Sequence, residues 1–490
     1  MKRVEYNHII MKILTLSEKR KQIAEAKKRK KAKSPSQEEL SRLLEHYQTG
    51  QYDDAEKLAV YITQEFPYHQ FGWKVLGAIL GQTSRISEAV NANQKSVELA
   101  PQDAKAHYNL GITLQELGRF DEAEASYTKA IAFKPDYALA HNNLGITLQE
   151  LGRLYEAEAS YTQAIALKPG FAEPHYNLGI TLQELGRLDE AEASYTQAIA
   201  FKPDYALAHN NLGVTLKDLG RLAEAQASYT QAIVLKPDYA EAHSSLGVVL
   251  HMNGDIDSGL ESLEKANNID PDLHNNHIIL AILKARKALG ITEFSADNIS
   301  NLGYSSEQFP QPVILNRTIE AELISSLYKI KSIELTKFDN SSISDPRFGN
   351  GKCSRDFKLF KDDSPIIKSV AEDLTMIMRE VVKSDIYISE SFFNIFGAGG
   401  GSTPHNHSGK LDADEYLNFG KQKYSLVYYL SVGDQNCMDP GILKLYDPSE
   451  DILPYEGMIA IFPADRKHSS IYGGKKDRVM IGVNFYSLTC

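Results

Sequence analysis

From residue 36 onward the chain repeats itself every 34 residues, and no other feature limits its fold so tightly. Gly77, Gly111, Gly145, Gly179, Gly213 and Gly247 share one phase of the period. Pro67, Pro101, Pro135, Pro169, Pro203, Pro237 and Pro271 share another. With glycine at ~7% of residues, six in phase by chance has a probability on the order of 10⁻⁷. Within one unit Leu110, Leu114 and Leu117 recur at helical spacing, Gly118-Arg119 makes a turn, and Ala123, Tyr127, Ala130 and Ile131 mark a second helix. Small residues at Gly111 and Ala123 let the two helices approach, and Pro135 stops the second because its ring cannot continue a helix. One hairpin cannot bury its apolar face alone, so stability must come from stacking on neighbours. Seven units follow: 36–69, 70–103, 104–137, 138–171, 172–205, 206–239 and 240–273. Ser36 and Glu39 have capping-box spacing and predict the first helix start. The apolar stretch His277 to Leu283 predicts a capping helix within 274–290.

The pattern N-L-G-x-x-L-x-x-x-G-R-x-x-E-A-x-x-x-Y-x-x-A-I resembles the tetratricopeptide repeat. Asn109, Asn143, Asn177 and Asn211 each precede the leucine of an inner helix, so they would form a ladder of amides able to donate to and accept from an extended peptide. These repeats resemble those of the O-linked N-acetylglucosamine transferase, whose ladder holds a polypeptide substrate, and the resemblance implies peptide binding at the four asparagines. A polar face that merely keeps the groove wet is the alternative.

Charge and composition narrow the function classes. Residues 1–35 carry twelve Lys/Arg against three Glu, about +9, so a net charge of -11 leaves the remainder near -20. An acidic body argues against nucleic acid as the main partner. The leader 1–35, disordered or helical, is not read as a signal peptide, since Lys12 interrupts its apolar piece. No apolar run approaches the ~18 residues of a membrane span. Three scattered cysteines, Cys353, Cys437 and Cys490, give neither a disulfide framework nor a zinc set, which suggests a reducing, cytoplasmic setting.

The period stops near Gly290. A connector over 291–312, rich in Ser, Asn and Pro, leads to a second domain over 313–490. Thr318 to Tyr328 and a stretch capped by Ser364-Pro365 read as helices; Asp345 to Arg355 reads as a loop, and Gly397 to Ser402 as a flexible glycine-rich turn. Strands are expected at Phe392–Phe396, Tyr424–Val432, Ile442–Tyr446, Met458–Phe462 and Val479–Leu488. Several short strands after a helix suggest a small β-sandwich or barrel with helical support. His405 and His407 are two apart and would project from one face of a strand. His468 and Arg478 follow at a distance. Two imidazoles from one strand and one from another suit a ferrous ion held on one side with the other side open. A guanidinium nearby could grip the far carboxylate of a 2-oxo acid. On its strand Arg478, Met480, Gly482 and Asn484 share one face, with Val479, Ile481, Val483 and Phe485 on the other.

The elements His405-Asn406-His407, Val427-Tyr428-Tyr429-Leu430, Asp447-Pro448, Phe462-Pro463, His468, Arg478 and Asn484 resemble those of the bacterial 2-oxoglutarate/Fe(II) oxygenases related to the prolyl hydroxylases. That resemblance implies an α+β domain with a double-stranded β-helix (jelly-roll) core, Fe(II) on His405, His407 and His468, and 2-oxoglutarate near Arg478, Asn484 and Tyr428. It implies hydroxylation of a C–H bond with molecular oxygen. The wider superfamily has a carboxylate where His407 stands, so Asp412 or Asp414 is an alternative ligand. The expected whole is an α-solenoid of tetratricopeptide repeats that presents a protein or peptide to an oxygenase. A non-catalytic repeat adaptor with a cupin-like or degenerate metal-binding β-domain is the rival.

Overall fold

The computed structural model describes residues 34–273, 275–288, 311–337, 347–409, 411–412 and 419–488. Nearly all of the leader and the connector, and Asp414 and Cys490, therefore lie outside the described residues. Two compact units divide between Leu235 and Lys236.

The first unit is built of antiparallel helix pairs. Ser36 opens it with the expected capping box: its hydroxyl accepts from the Glu39 amide, and the Glu39 carboxylate accepts from the Ser36 amide at 2.7 Å. Helices Ala104–Glu116 and Phe120–Phe133 form one pair, Ala138–Glu150 and Leu154–Leu167 the next, and Ala172–Glu184 and Leu188–Phe201 another. Four of the six in-phase glycines make room for a tyrosine ring, while Gly77 faces Asn93 and Gly247 faces Leu263. A Cβ at Gly111 would lie 2.6 Å from the Tyr127 ring, and one at Gly145 2.5 Å from Tyr161. Both tyrosines are fully buried in return. Gly118, Gly152 and Gly186 turn each pair with φ near +70°, a conformation that side chains disfavour. At each turn an arginine ties neighbours together: Arg153 pairs with Glu156 at 2.5 Å and with Glu124 of the preceding pair at 2.7 Å, and Arg187 does the same with Glu190 and Glu158. Half-exposed pairs of this kind set register more than they add stability.

In the second unit, helices Ala240–Met252 and Ile256–Ile269 and the cap helix Asn276–Ala288 pack against the strand region. Leu263, Ile278, Ile282 and Leu283 share one buried cluster with Phe419 and Tyr486. Arg286 stacks on Phe419 and donates to Gln422 at 3.3 Å. This burial is why the compact unit begins one hairpin earlier than the end of the sequence period.

The strands are β1 (Val313–Asn316), β2 (Ser332–Glu334), β3 (Arg347–Phe348), β4 (Gly351–Ser354), β5 (Ile386–Phe396) and β6 (Gly400–His405). Then come β7 (Lys423–Ser431), β8 (Leu443–Leu445), β9 (Glu450–Ile452), β10 (Met458–Pro463), β11 (His468–Tyr472) and β12 (Arg478–Ser487). They make two antiparallel sheets, one in the order β1-β10-β7-β12-β5-β4-β2 and the other β3-β6-β11-β8-β9. The larger sheet buries Phe393, Leu426, Tyr428, Ile481 and Phe485 against the helix Pro365–Val382, through Ile367, Val370, Leu374 and Met378. Its opposite face meets the smaller sheet through Tyr429, Phe462 and Met480 with Leu443, Leu445 and Tyr472.

Two expected loops are largely strand. Residues 347–354, read as a loop, carry β3 and β4, and Gly400–His405 is β6 rather than a flexible turn. Their glycines mark close backbone approach: a Cβ at Gly400 would lie 2.2 Å from the Asn350 carbonyl oxygen, and one at Gly401 2.3 Å from that of Ser470. The helix expected from Thr318 is confined to Leu323–Leu327.

Candidate metal centre

Sheet register brings the histidines together. His405 ends β6 and lies directly opposite His468, the first residue of β11, with ring centroids 4.3 Å apart. His407 stands past the end of the strand, not on it, and is anchored by its amide donating to the Ala464 carbonyl at 2.9 Å. Its ring centroid is 5.0 Å from each of the others. One nitrogen from each ring lies within 4.8 Å of the others, and this trio is the one such potential metal-binding group among the described residues.

The tautomers suit a cation. His405 Nδ1 lies 2.7 Å from the Thr403 carbonyl, and His468 Nδ1 lies 3.3 Å from that of Arg466. A carbonyl can only accept, so each Nδ1 carries a proton and Nε2 is the nitrogen left for a ligand role. Burial, with the neighbouring imidazoles, holds His407 well below the ordinary histidine range; Lys423 and Arg347 add to the effect. Burial and His405 lower His468 to about 3. Both are neutral at pH 7, so a metal would displace no proton from them.

Arg478 opens β12 and is fully buried. One Nη donates to the Gly441 carbonyl and, at 3.5 Å, to the Ser470 hydroxyl, while the guanidinium lies over the Tyr429 ring at 4.9 Å and near Tyr472 at 5.8 Å. Its Nε and other Nη have no partner among the described residues. Burial lowers its pKa from the ordinary arginine value. A buried guanidinium with idle donors is costly unless an anion meets it. The space it occupies is made by Gly441, at φ +78°, where a Cβ would fall 1.4 Å from the guanidinium nitrogen. A cavity of about 280 Å³ lies between the two sheets, bounded by all three histidines and by Tyr429 and Ser470, which touch Arg478. Arg478 itself sits behind that wall.

Other expected residues divide by strand phase. Asn484 lines the cavity, but its amide donates to Glu390 and its carbonyl accepts from Ser425 at 2.8 Å, so it is knitted into the wall. Tyr428 does not face the cavity. Its ring joins the helix-packed core, and its hydroxyl meets Arg317 at 3.1 Å; Tyr429, one residue on, faces the site instead. The phase was present in the sequence: Lys423, Ser425 and Ser431 alternate with Tyr424, Leu426 and Leu430, so period two puts Tyr429 on the more polar face and Tyr428 on the apolar one. Asp412 stands outside the histidine group and is engaged elsewhere: one oxygen accepts from Tyr486 at 2.6 Å, the other from Lys423 at 2.9 Å and the Gly409 amide at 2.7 Å.

Sequence reasoning missed much of the wall, including Arg347, Phe357, Glu390 and Phe392. Arg347 stacks on the Phe357 ring at 5.0 Å and donates to Asn394 at 3.1 Å. The available signal was the series Glu390, Phe392, Asn394, Phe396, a charged and an amide residue at period two inside a strand.

In the repeats the amide ladder is half-buried and already engaged. Asn143 donates to Tyr108 at 3.3 Å, Asn177 to the Asn142 side chain at 3.1 Å and Asn211 to Tyr176 at 3.3 Å. Each step thus spends one amide hydrogen on the preceding repeat, and Asn109 stands at the head of the series.

Family models for the tetratricopeptide repeat match residues 104–137, 138–171 and 160–193, and a TPR repeat model matches 182–220 and 215–254. No curated protein matches the chain. Among solved structures, MamA is 26% identical over 33% of this chain and 95% of its own, with a TM-score of 0.32. YrrB, described as a TPR protein with an unusual peptide-binding site, is 23% identical over 38% and 95%, with a TM-score of 0.33. The APC/C hetero-tetramer Cut9-Hcn1 is 19% identical over 49% of this chain, which spans 48% of that one, with a TM-score of 0.43. No helix among the described residues is long and apolar enough to cross a membrane. Together the family matches and the helix pairs identify residues 104–254 as tetratricopeptide repeats.

Proposed function

We propose that this chain is a tetratricopeptide interaction protein whose strand region is a 2-oxoglutarate- and Fe(II)-dependent oxygenase acting on a protein or peptide that the repeats engage. The observation that carries the catalytic half is the meeting of three imidazoles at a cavity whose wall touches a buried arginine with two unpartnered nitrogens. In this reading the two sheets are a double-stranded β-helix. His405, His407 and His468 hold ferrous iron through one nitrogen each, and Arg478 takes the far carboxylate of 2-oxoglutarate. Bound together, those two groups supply the oxidation, in which oxygen and 2-oxoglutarate yield succinate and carbon dioxide while a substrate C–H becomes C–OH.

The chain's own residues do the rest. Gly441 and the Tyr429 and Tyr472 rings set the guanidinium where a carboxylate replaces the missing partner. Leu443, Tyr429 and Met480 keep that end of the cavity dry, which strengthens the ion pair. Phe357, Phe392 and Arg347 wall the cavity near His407 and would face the substrate.

A second reading is supported from the repeat side: a scaffold that assembles partners and whose β-region binds metal without turnover. Succinate release separates the two. Protein loaded with Fe(II) without oxygen, then given 2-oxoglutarate and oxygen, is expected to form succinate, and His405→Ala and His468→Ala to abolish it. A folded, iron-loaded chain that forms none leaves the scaffold standing.

A further inference from the structure

Resting on that metal reading, we propose that Lys423 is a positioning residue for the third ligand: its ammonium, paired with Asp412, clamps the main chain of His407 in the metal-binding arrangement. The need for a clamp follows from the fold. His405 and His468 sit opposite each other in a ladder, so sheet register places both. His407 lies beyond β6 with no strand beside it, and its amide bond to the Ala464 carbonyl, at 2.9 Å, is its one backbone tether among the described residues.

The second tether is ionic. Lys423 Nζ donates to the His407 carbonyl at 2.6 Å and to Asp412 at 2.9 Å. The Lys423 and Asp412 side chains are 10% and 2% exposed. Asp412 is fixed in turn by the Tyr486 hydroxyl at 2.6 Å and the Gly409 amide at 2.7 Å. Lys423 begins β7, and its own carbonyl accepts from the Ala464 amide at 3.0 Å, so both tethers of His407 end on one rigid sheet corner. A buried pair of this kind confers little net stability against an apolar replacement, so its value lies in what it orients. It has a second effect. Asp412 is the first carboxylate after His407 in the sequence, and Lys423, the Gly409 amide and the Tyr486 hydroxyl occupy both its oxygens, which keeps it from competing with the third imidazole.

The test is Co(II) uptake by the full chain without 2-oxoglutarate, read from the visible absorption band and its titration. Groups that support metal ligands typically alter affinity by 10–100-fold. Lys423→Met is therefore expected to weaken Co(II) binding by that factor and to shift the band toward a two-imidazole site. Because Lys423→Met leaves a buried carboxylate unpaired and can fail to fold, the double variant Lys423→Met/Asp412→Leu removes both charges. It is expected to fold and to show the same weakened, shifted band, whereas Lys423→Arg, which keeps a donor, retains the native band. A folded double variant that binds Co(II) with unaltered affinity and spectrum overturns the clamp alone. An unsubstituted chain that binds no Co(II) overturns the metal reading and the clamp with it.

Discussion

At Gly441 a single missing methyl decides whether an arginine can exist where it does. A Cβ there would fall inside the Arg478 guanidinium, and the residue's φ of +78° disfavours any side chain as well. Gly441→Ala should therefore push Arg478 out of its seat while leaving the histidines untouched. A bidentate charged contact is worth roughly 1.5–3 kcal/mol, so 2-oxoglutarate affinity measured by calorimetry should fall by about 10- to 150-fold, with Co(II) affinity unchanged. Equal loss of both ligands would mean the change has spread through the fold. At this scale the sequence was legible where polar residues flagged a phase. Arg478 and Asn484 placed all of β12 with the correct face inward. At Tyr428 and Tyr429 the flag was Lys423, Ser425 and Ser431 on the face of Tyr429, and the reading passed over it and fell on the wrong neighbour. Asp412 looked available because a short-range pattern cannot show that Lys423 and Tyr486 come back to claim it.

Elements were predictable wherever a period supported them. The helix pairs follow the 34-residue phase, and the helix Pro365–Val382 buries Ile367, Val370, Leu374 and Met378 as its spacing requires. What the period could not supply is the reason for its glycines, which at Gly111, Gly145, Gly179 and Gly213 is a tyrosine ring on the other helix. Two helical glycines therefore should respond oppositely to the same substitution. Gly81→Ala enters open space and should stabilise by up to about 1 kcal/mol through reduced unfolded-state freedom. Gly145→Ala meets the Tyr161 ring at 2.5 Å and should destabilise by about 1–3 kcal/mol, after the same propensity gain is overcome. Denaturant midpoints for the two variants measure the difference. The strands β3, β4 and β6 escaped detection for a related reason: their glycines read as turn residues, yet they serve backbone approach, and glycine's two uses look alike in sequence.

For the molecule as a whole, ligand binding should be felt in one compact unit. A metal that binds only the folded form at one hundred times its Kd stabilises by about 2.7 kcal/mol. Hydrogen exchange with and without Co(II) should accordingly slow in residues 236–490, most around β6, β11 and the His407 segment, with no change in the repeats before residue 235. A chelator should reverse it. Uniform protection along the chain would show that ions coat the acidic surface rather than fill a site.

The apolar seam that joins the cap helix to Phe419 and Tyr486 carries a practical corollary. Anyone excising the strand region after the cap helix, at residue 288, would strip Ile278, Ile282 and Leu283 from the rings they cover and leave a greasy scar beside the Lys423 corner. The compact unit that holds the strands begins at Lys236, so it carries one borrowed hairpin of the array as part of its own body.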